Sequence, residues 1–261
     1  MADSLNGTAL ARRRPRAVVL AGGRGTRLAP FTSVLPKPLM PVGERSILEV
    51  VIDQLVDRGI VDITLSVGYL AHLIRAVLEN GGKNEAARIA YVHEEEPLGT
   101  AGPLRLVPGL DDTFLVMNGD ILTTLDYGEL IDHHRRQGNV LTIATHRRTV
   151  KIDYGVLDTE AAGDGARVSA YTEKPELEMT VSMGIYVLEP QAIDYVPEGE
   201  RFDFPELVDA LLEAGEPVGA YDYDGLWFDI GRREDYERAV GIWQGDDDDD
   251  VVPAPGTRVR A

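Results

Sequence analysis

Residues Val19 to Leu48 read VLAGGRGTRLAPFTSVLPKPLMPVGERSIL. An apolar strand runs into a glycine turn that carries Arg27, and Lys37 follows between Pro36 and Pro38. Gly22, Gly23 and Gly25 let the backbone turn sharply and bring bare N–H groups against an anion. Arg27 offers a planar fork of donors and Lys37 a mobile point charge. This order of groups points to phosphate binding, with a nucleoside triphosphate as the natural ligand.

Two familiar phosphate loops are excluded by the same residues. A Walker loop needs Gly-Lys followed by Ser or Thr, and the dinucleotide fingerprint needs a third glycine where this chain has Leu28. A plain strand-to-helix turn would account for the glycines. It would not account for Arg27 or for Pro36-Lys37-Pro38.

From Leu20 to Pro38 the chain closely resembles the sugar-1-phosphate nucleotidyltransferases, with Pro30 and Thr32 also in place. Further matches follow in family order: Glu94 to Leu104 (EEEPLGTAGPL), Asn118-Gly119-Asp120, Tyr154-Gly155-Val156, Glu173-Lys174-Pro175, Met183 to Tyr186 and Trp227 to Gly231. The resemblance covers about residues 16 to 243. It implies the nucleotide-diphospho-sugar transferase fold, a Rossmann-like and mostly parallel α/β sheet sandwiched by helices. It implies no C-terminal β-helix, because the sequence ends soon after the last motif.

The resemblance also distributes roles. Arg27 and Lys37 act on the phosphates, and Asp120 with Asp229 hold Mg²⁺, for which two carboxylates, phosphate oxygens and waters are a fitting set. Leu20, Ala21, Gly22, Gly23, Gly25 and Thr26 approach the nucleotide, with Gly99 and Thr100 beside its base. Gly155, Glu173, Lys174 and Ser182 receive the sugar phosphate. Ser182 stands where the family commonly has Asn, so the sugar stays open. The segment from His93 to Leu104 looks most like the mannose-1-phosphate guanylyltransferase branch, which favours GTP with a mannose- or heptose-type substrate. Thymidylyl, uridylyl or cytidylyl transfer to another sugar or cyclitol phosphate is the alternative.

Such a reaction explains what the sequence lacks. A sugar 1-phosphate is already an oxyanion, so no Ser-His-Asp triad is needed to make the nucleophile. The work is positioning and charge neutralisation. A nucleotide-sugar sensor would be expected to lose the arginine, the lysine or the metal acid, and all are present. A glycosyltransferase would use an Asp-x-Asp motif and has no use for Arg27 and Lys37.

Composition sets limits. The 261 residues carry 26 basic and 44 acidic side chains, a net charge of −18, and the excess of acid persists when both ends are removed. An acidic body repels a nucleic-acid backbone, so a polyanionic substrate has to be met by a local basic pocket or a cation. There is no cysteine, hence no disulfide, thiolate metal site or thiol nucleophile. No apolar run reaches bilayer length and no export signal opens the chain, so a cytoplasmic protein is expected, with no membrane partner. An assembly of identical copies is compatible with the sequence.

One domain is expected over residues 16–244, between an N-terminal tail (1–15) and an acidic tail (245–261) with five consecutive aspartates. Strands are predicted at 17–21, 63–67, 88–93 and 114–117, the first and the last of them buried, with Asp120 just past the carboxyl end of the last. Ser46 to Glu49 is a capping box that opens a helix ended by Gly59, and a second helix lies near 71–79. Beyond Val140 strands are predicted at 141–147, 155–159, 168–173 and 181–188, all completing the same sheet, with helices at 204–214 and 233–243. His133 and His134, beside Arg135 and Arg136, read as surface residues.

Overall fold

The structure is a computed structural model that describes residues 15–28, 30–80, 85–231 and 233–244. For residues 27, 233, 234 and 242–244 it describes the backbone alone. Both expected tails, apart from Pro15, lie outside the described residues.

Strand β1 (Arg16–Ala21) is the centre of the molecule. Its alternation divides the core: Ala17, Val19 and Ala21 face one cluster and Val18 the other. It pairs in parallel with β4 (Asp62–Val67) and with β6 (Phe114–Asn118), and β4 pairs in parallel with β5 (Arg88–His93). Strands buried on both faces read as continuous apolar runs, which is why β1 and β6 are visible in the sequence, whereas β5 lies at the sheet edge and is only partly buried.

Two two-residue strands, β2 (Pro41–Val42) and β3 (Arg45–Ser46), lead into α1 (Ile47–Asp57). The expected capping box is present: Glu49 N–H donates to Ser46 Oγ at 3.3 Å and Ser46 N–H donates to Glu49 Oε2 at 2.8 Å. Helix α1, α2 (Ala71–Asn80) and α3 (Tyr127–Gln137) bury their apolar stripes on the first face. Helix α4 (Phe204–Glu213) covers the second.

Strand β7 (Ile121–Thr123) follows Asp120 directly, and β8 (Leu141–Lys151) and β11 (Glu176–Leu188) extend the main sheet. With β12 (Val218–Asp222) the order is β12-β8-β11-β6-β1-β4-β5, and only β11 runs against its neighbours. The sheet is therefore mostly parallel, with helices on both faces. A second small ladder joins β13 (Trp227–Asp229) to β7, and α5 (Arg233–Gln244) follows.

One expectation is overturned here. Strands β9 (Gly155–Ala162) and β10 (Gly165–Glu173) do not join the main sheet; they form a separate antiparallel hairpin. The ends of β8 and β11, paired down to Lys151 and Glu176, project from the sheet as a ribbon that leads to it. Leu157, Val168, Tyr171, Leu177 and Met179 are all exposed along this extension.

His134 is a second correction, because it is fully buried. It continues the stripe Tyr127, Leu130 and Ile131 at helical spacing on α3. Its Nδ1 lies 2.8 Å from Thr142 Oγ1 and its Nε2 lies 3.2 Å from Glu189 Oε1. Asn139 Nδ2 donates to that threonine oxygen, so the hydroxyl proton points to Nδ1 and the imidazole N–H to the carboxylate. Burial lowers the pKa of His134, against the raising effect of Glu189.

Candidate active site

Parallel pairing brings the carboxyl ends of β1, β4, β5 and β6 to one edge, where ligands of such sheets bind. Leu20 lies opposite Asn118 and Ala21 opposite Val67. The loop after β1 therefore meets the loops after β4 and β6. Gly22 O accepts from Tyr69 N–H at 3.3 Å, and Leu20 O accepts from Gly119 N–H at 2.9 Å. Gly119 has to be small, since a Cβ there would lie 3.1 Å from Leu20 O.

The glycines of the first loop differ in what they do. Gly25 has φ +60°, a left-handed conformation, and a Cβ there would lie 2.9 Å from Lys37 Cβ. A Cβ on Gly22 would lie 2.6 Å from Glu94 Oε1. Gly23 is exposed, and a Cβ there would meet nothing within 4 Å, so it leaves open backbone at the edge. Thr26 and Arg27 begin a 3₁₀ turn, Thr26–Leu28, tied to the loop by Leu28 N–H donating to Gly25 O at 3.0 Å. The side chain of Arg27 lies outside the described residues.

Lys37 opens the 3₁₀ turn Lys37–Leu39, bracketed by the two prolines, and the residue is only 8% exposed. Its ammonium is hydrogen-bonded to Asp120 Oδ2 and lies 3.8 Å from Asp229 Oδ1. The two acids are brought together by the β7–β13 ladder, in which Asp229 pairs with Ile121 and Ile230 N–H donates to Asp120 O at 3.1 Å. Burial raises the pKa of Asp120, the lysine pulls it down less, and Asp229 adds to the rise.

Asp120 Oδ1 is buried and has no hydrogen-bond partner. An orphaned carboxylate oxygen beside a second carboxylate fits a hard divalent cation that draws its other ligands from water and phosphate. Among the described residues no group of three or more His, Cys, Asp or Glu could hold a metal by itself. The aspartates would thus be a partial ligand set.

Ser182 lies midway along β11, where the register with β8 breaks before Tyr186. In this bulge Gly184 adopts φ +71° close to Asn118, and its N–H donates to Ser182 Oγ at 3.2 Å. Trp227 Nε1 donates to Met183 O at 3.1 Å, fixing the bulge to β13. Ser182 Oγ also donates to Tyr186 OH at 3.2 Å, and the Tyr186 ring stacks on Phe204 with centroids 3.8 Å apart.

Gly155, Glu173 and Lys174 sit at the root of the separate hairpin. Gly155 pairs with Glu173, and the Tyr171 hydroxyl lies over Gly155 and donates to Glu173. Lys174 is exposed and held at φ +45°, with its N–H donating to Tyr154 O at 3.3 Å. A non-glycine residue in that region carries strain that its surroundings must sustain.

Gly99, expected beside the base, and Gly102 both have the chain packed closely behind them. A Cβ on Gly99, which has φ +82°, would lie 2.6 Å from Phe202 O, and one on Gly102 would lie 3.0 Å from Glu200 O. Thr100 N–H donates to Asp203 Oδ1 at 2.8 Å, and Ala101 and Gly102 N–H both donate to Phe202 O at 2.9 Å. The segment is thus riveted to the start of α4.

Glu94, Tyr186 and Asp203 hold these pieces in place and were not singled out from the sequence. Glu94 accepts from Ser66 Oγ at 2.7 Å and from Leu98 N–H at 3.1 Å, tying the segment to β4. Its place at the head of EEEPLGTAGPL was the available signal. Asp203 had one too, as an acid three residues before Glu206 at a helix start.

The chain is similar to known proteins along most of its length. Residues 16–242 match the family model described as nucleotidyl transferase. The chain is 34% identical to a UTP–glucose-1-phosphate uridylyltransferase of Synechocystis, over 94% of this chain and 67% of that protein. It is 32% identical to a mannose-1-phosphate guanyltransferase of Saccharomyces cerevisiae, over 85% of this chain and 62% of that one. The chain thus spans about two thirds of the length of these relatives. Among solved structures, HddC from Yersinia pseudotuberculosis complexed with GMP-PN matches with a TM-score of 0.65 and 27% identity, covering 87% of this chain and 98% of that one.

Proposed function

Because this chain belongs to the nucleotidyl transferase family, we propose that it joins a nucleoside triphosphate to a sugar 1-phosphate, releasing pyrophosphate and a nucleoside diphosphate sugar. The observation that carries this reading is the cluster of Lys37, Asp120 and Asp229 at the carboxyl edge of β1 and β6. It places a cation and two carboxylates where the glycine loop leaves open backbone.

In the proposed step an oxygen of the sugar phosphate attacks the α-phosphorus, a new O–P bond forms and the bond to the β-phosphate oxygen breaks. The nucleophile is already ionised, so no proton has to be moved. Backbone N–H groups of Gly22, Gly23, Gly25 and Thr26 cradle the phosphates, and Arg27 and Lys37 balance the charge that gathers on the leaving pyrophosphate. Asp120 and Asp229 would hold Mg²⁺, which when bound neutralises phosphate charge. Gly99 and Thr100 border the base, and Gly155, Glu173, Lys174 and Ser182 border the sugar phosphate. The working unit is residues 16–244, acting in the cytoplasm.

GTP is the favoured nucleotide, with a mannose- or heptose-type sugar, supported by the segment His93 to Leu104 and the guanylyltransferase relatives. The likeness to a UTP–glucose-1-phosphate uridylyltransferase favours a second reading, UTP with glucose 1-phosphate. A pyrophosphate-release assay crossing GTP, UTP, dTTP, CTP and ATP with a panel of sugar 1-phosphates separates them. The expected result is Mg²⁺-dependent turnover that is highest with GTP. Turnover with no pair would refute the enzyme.

A further inference from the structure

We infer that Lys37 is an internal counter-ion of the two aspartates, which a divalent cation has to displace before it can seat. The inference rests on the reading of Asp120 and Asp229 as metal ligands. Its ground is the position of the ammonium, bonded to Asp120 Oδ2 and 3.8 Å from Asp229 Oδ1. A dication drawn to the two carboxylates would meet this ammonium, and like charges in a half-buried pocket repel strongly.

The lysine is built for such an exchange. Its stem is fixed under the glycine loop, with Gly25 lacking the side chain that would strike Lys37 Cβ, and its turn is bracketed by Pro36 and Pro38. Only the end of the side chain is free to move, and the loop of Gly22 to Gly25 is its alternative neighbour. A phosphate on that loop gives the displaced ammonium a new partner. Metal alone therefore meets the cost of breaking an ion pair, whereas metal with nucleotide does not, and the two ligands bind with positive coupling.

Titration of the full chain with Mn²⁺ in the absence of nucleotide, read by electron paramagnetic resonance, tests this directly. Lys37→Met is expected to bind Mn²⁺ about tenfold more tightly than the wild type, because the carboxylates then have no resident cation. Lys151→Met removes the same charge from the exposed ribbon and is expected to stay within about twofold of the wild type. Unchanged or weaker binding in Lys37→Met, while Asp120→Asn abolishes binding, would overturn the exchange and leave the metal site standing. Binding untouched by Asp120→Asn would remove the metal from this pair and take both readings with it. Should Lys37→Met fail to fold by circular dichroism, the Lys37 side-chain NMR signal of the wild type serves instead. It is expected to shift in step with added Mg²⁺, and a signal that stays in place overturns the proposal.

Discussion

Ile230 N–H donates to Asp120 O at 3.1 Å, so the backbone after the second acid of the site is clamped to the backbone of the first. The backbones of both aspartates are set by a ladder, while the Asp120 carboxylate is also bonded to Lys37. Replacing one side chain therefore leaves the other in place, which makes single substitutions here informative.

Asp120→Asn is expected to lower kcat by about a hundredfold or more, since a neutral amide is a poor ligand for a hard cation. The thermal midpoint at pH 7 is expected to fall, because the nearly buried Lys37 loses its hydrogen-bonded counter-ion. Steady-state rates and a melting curve check both, and full activity would remove Asp120 from the site.

Gly25→Ala and Gly23→Ala are expected to part company. The first places a Cβ at φ +60° against Lys37 and Thr32 and should cost about 1–2 kcal/mol together with most of the activity. The second meets nothing within 4 Å and should stay within about 0.5 kcal/mol. Urea titrations measure the difference, and equal losses would contradict the geometry.

Asp203→Ala removes the acceptor of both Thr100 N–H and Thr100 Oγ1. A loss of about 1–2 kcal/mol is expected from the two bonds to Thr100. If the 94–104 segment borders the base, KM for the nucleotide rises more than KM for the sugar phosphate. Equal rises would detach this segment from the nucleotide.

His134 gives the fold a dependence on pH. Its pKa is lowered by burial from the ordinary value of 6.5, so as pH falls the unfolded chain takes up the proton first and stability declines. The decline starts near pH 6.5 and continues until the buried ring is itself protonated, at up to about 1.4 kcal/mol per pH unit. His134→Gln should flatten the stretch just below pH 6.5 in urea titrations. An unchanged slope would assign the acid sensitivity to other groups.

Strands β1 and β6 were legible because burial on both faces leaves mostly apolar residues between turns, while β4 carries Thr64 and Ser66 among its buried residues. Asp120 was legible from its place after such a strand, and Asp229 only from the motif around it. The ladder that joins them was not visible, because β7 and β13 are three residues each and carry no periodicity. Strands β9 and β10 were recognised, but nothing in their alternation says which sheet a strand joins. In His134 the charged neighbours hid a stripe that Tyr127, Leu130 and Ile131 had already begun. Gly99 and Gly102 showed that bulk was forbidden without showing that a segment about a hundred residues away forbids it.

That clamp between Asp120 and Ile230 also sets the order in which the protein comes to life. A growing chain that has reached α3 already holds β1, β4, β5 and β6, with the glycine loop and one of the acids. It does not yet hold β13, so Asp120 has neither its fellow acid nor its backbone anchor. Contacts of such long separation in sequence form late. A half-made chain on the ribosome would carry the glycine loop and Asp120 without their partner strand, which is added only when the segment around Trp227 docks.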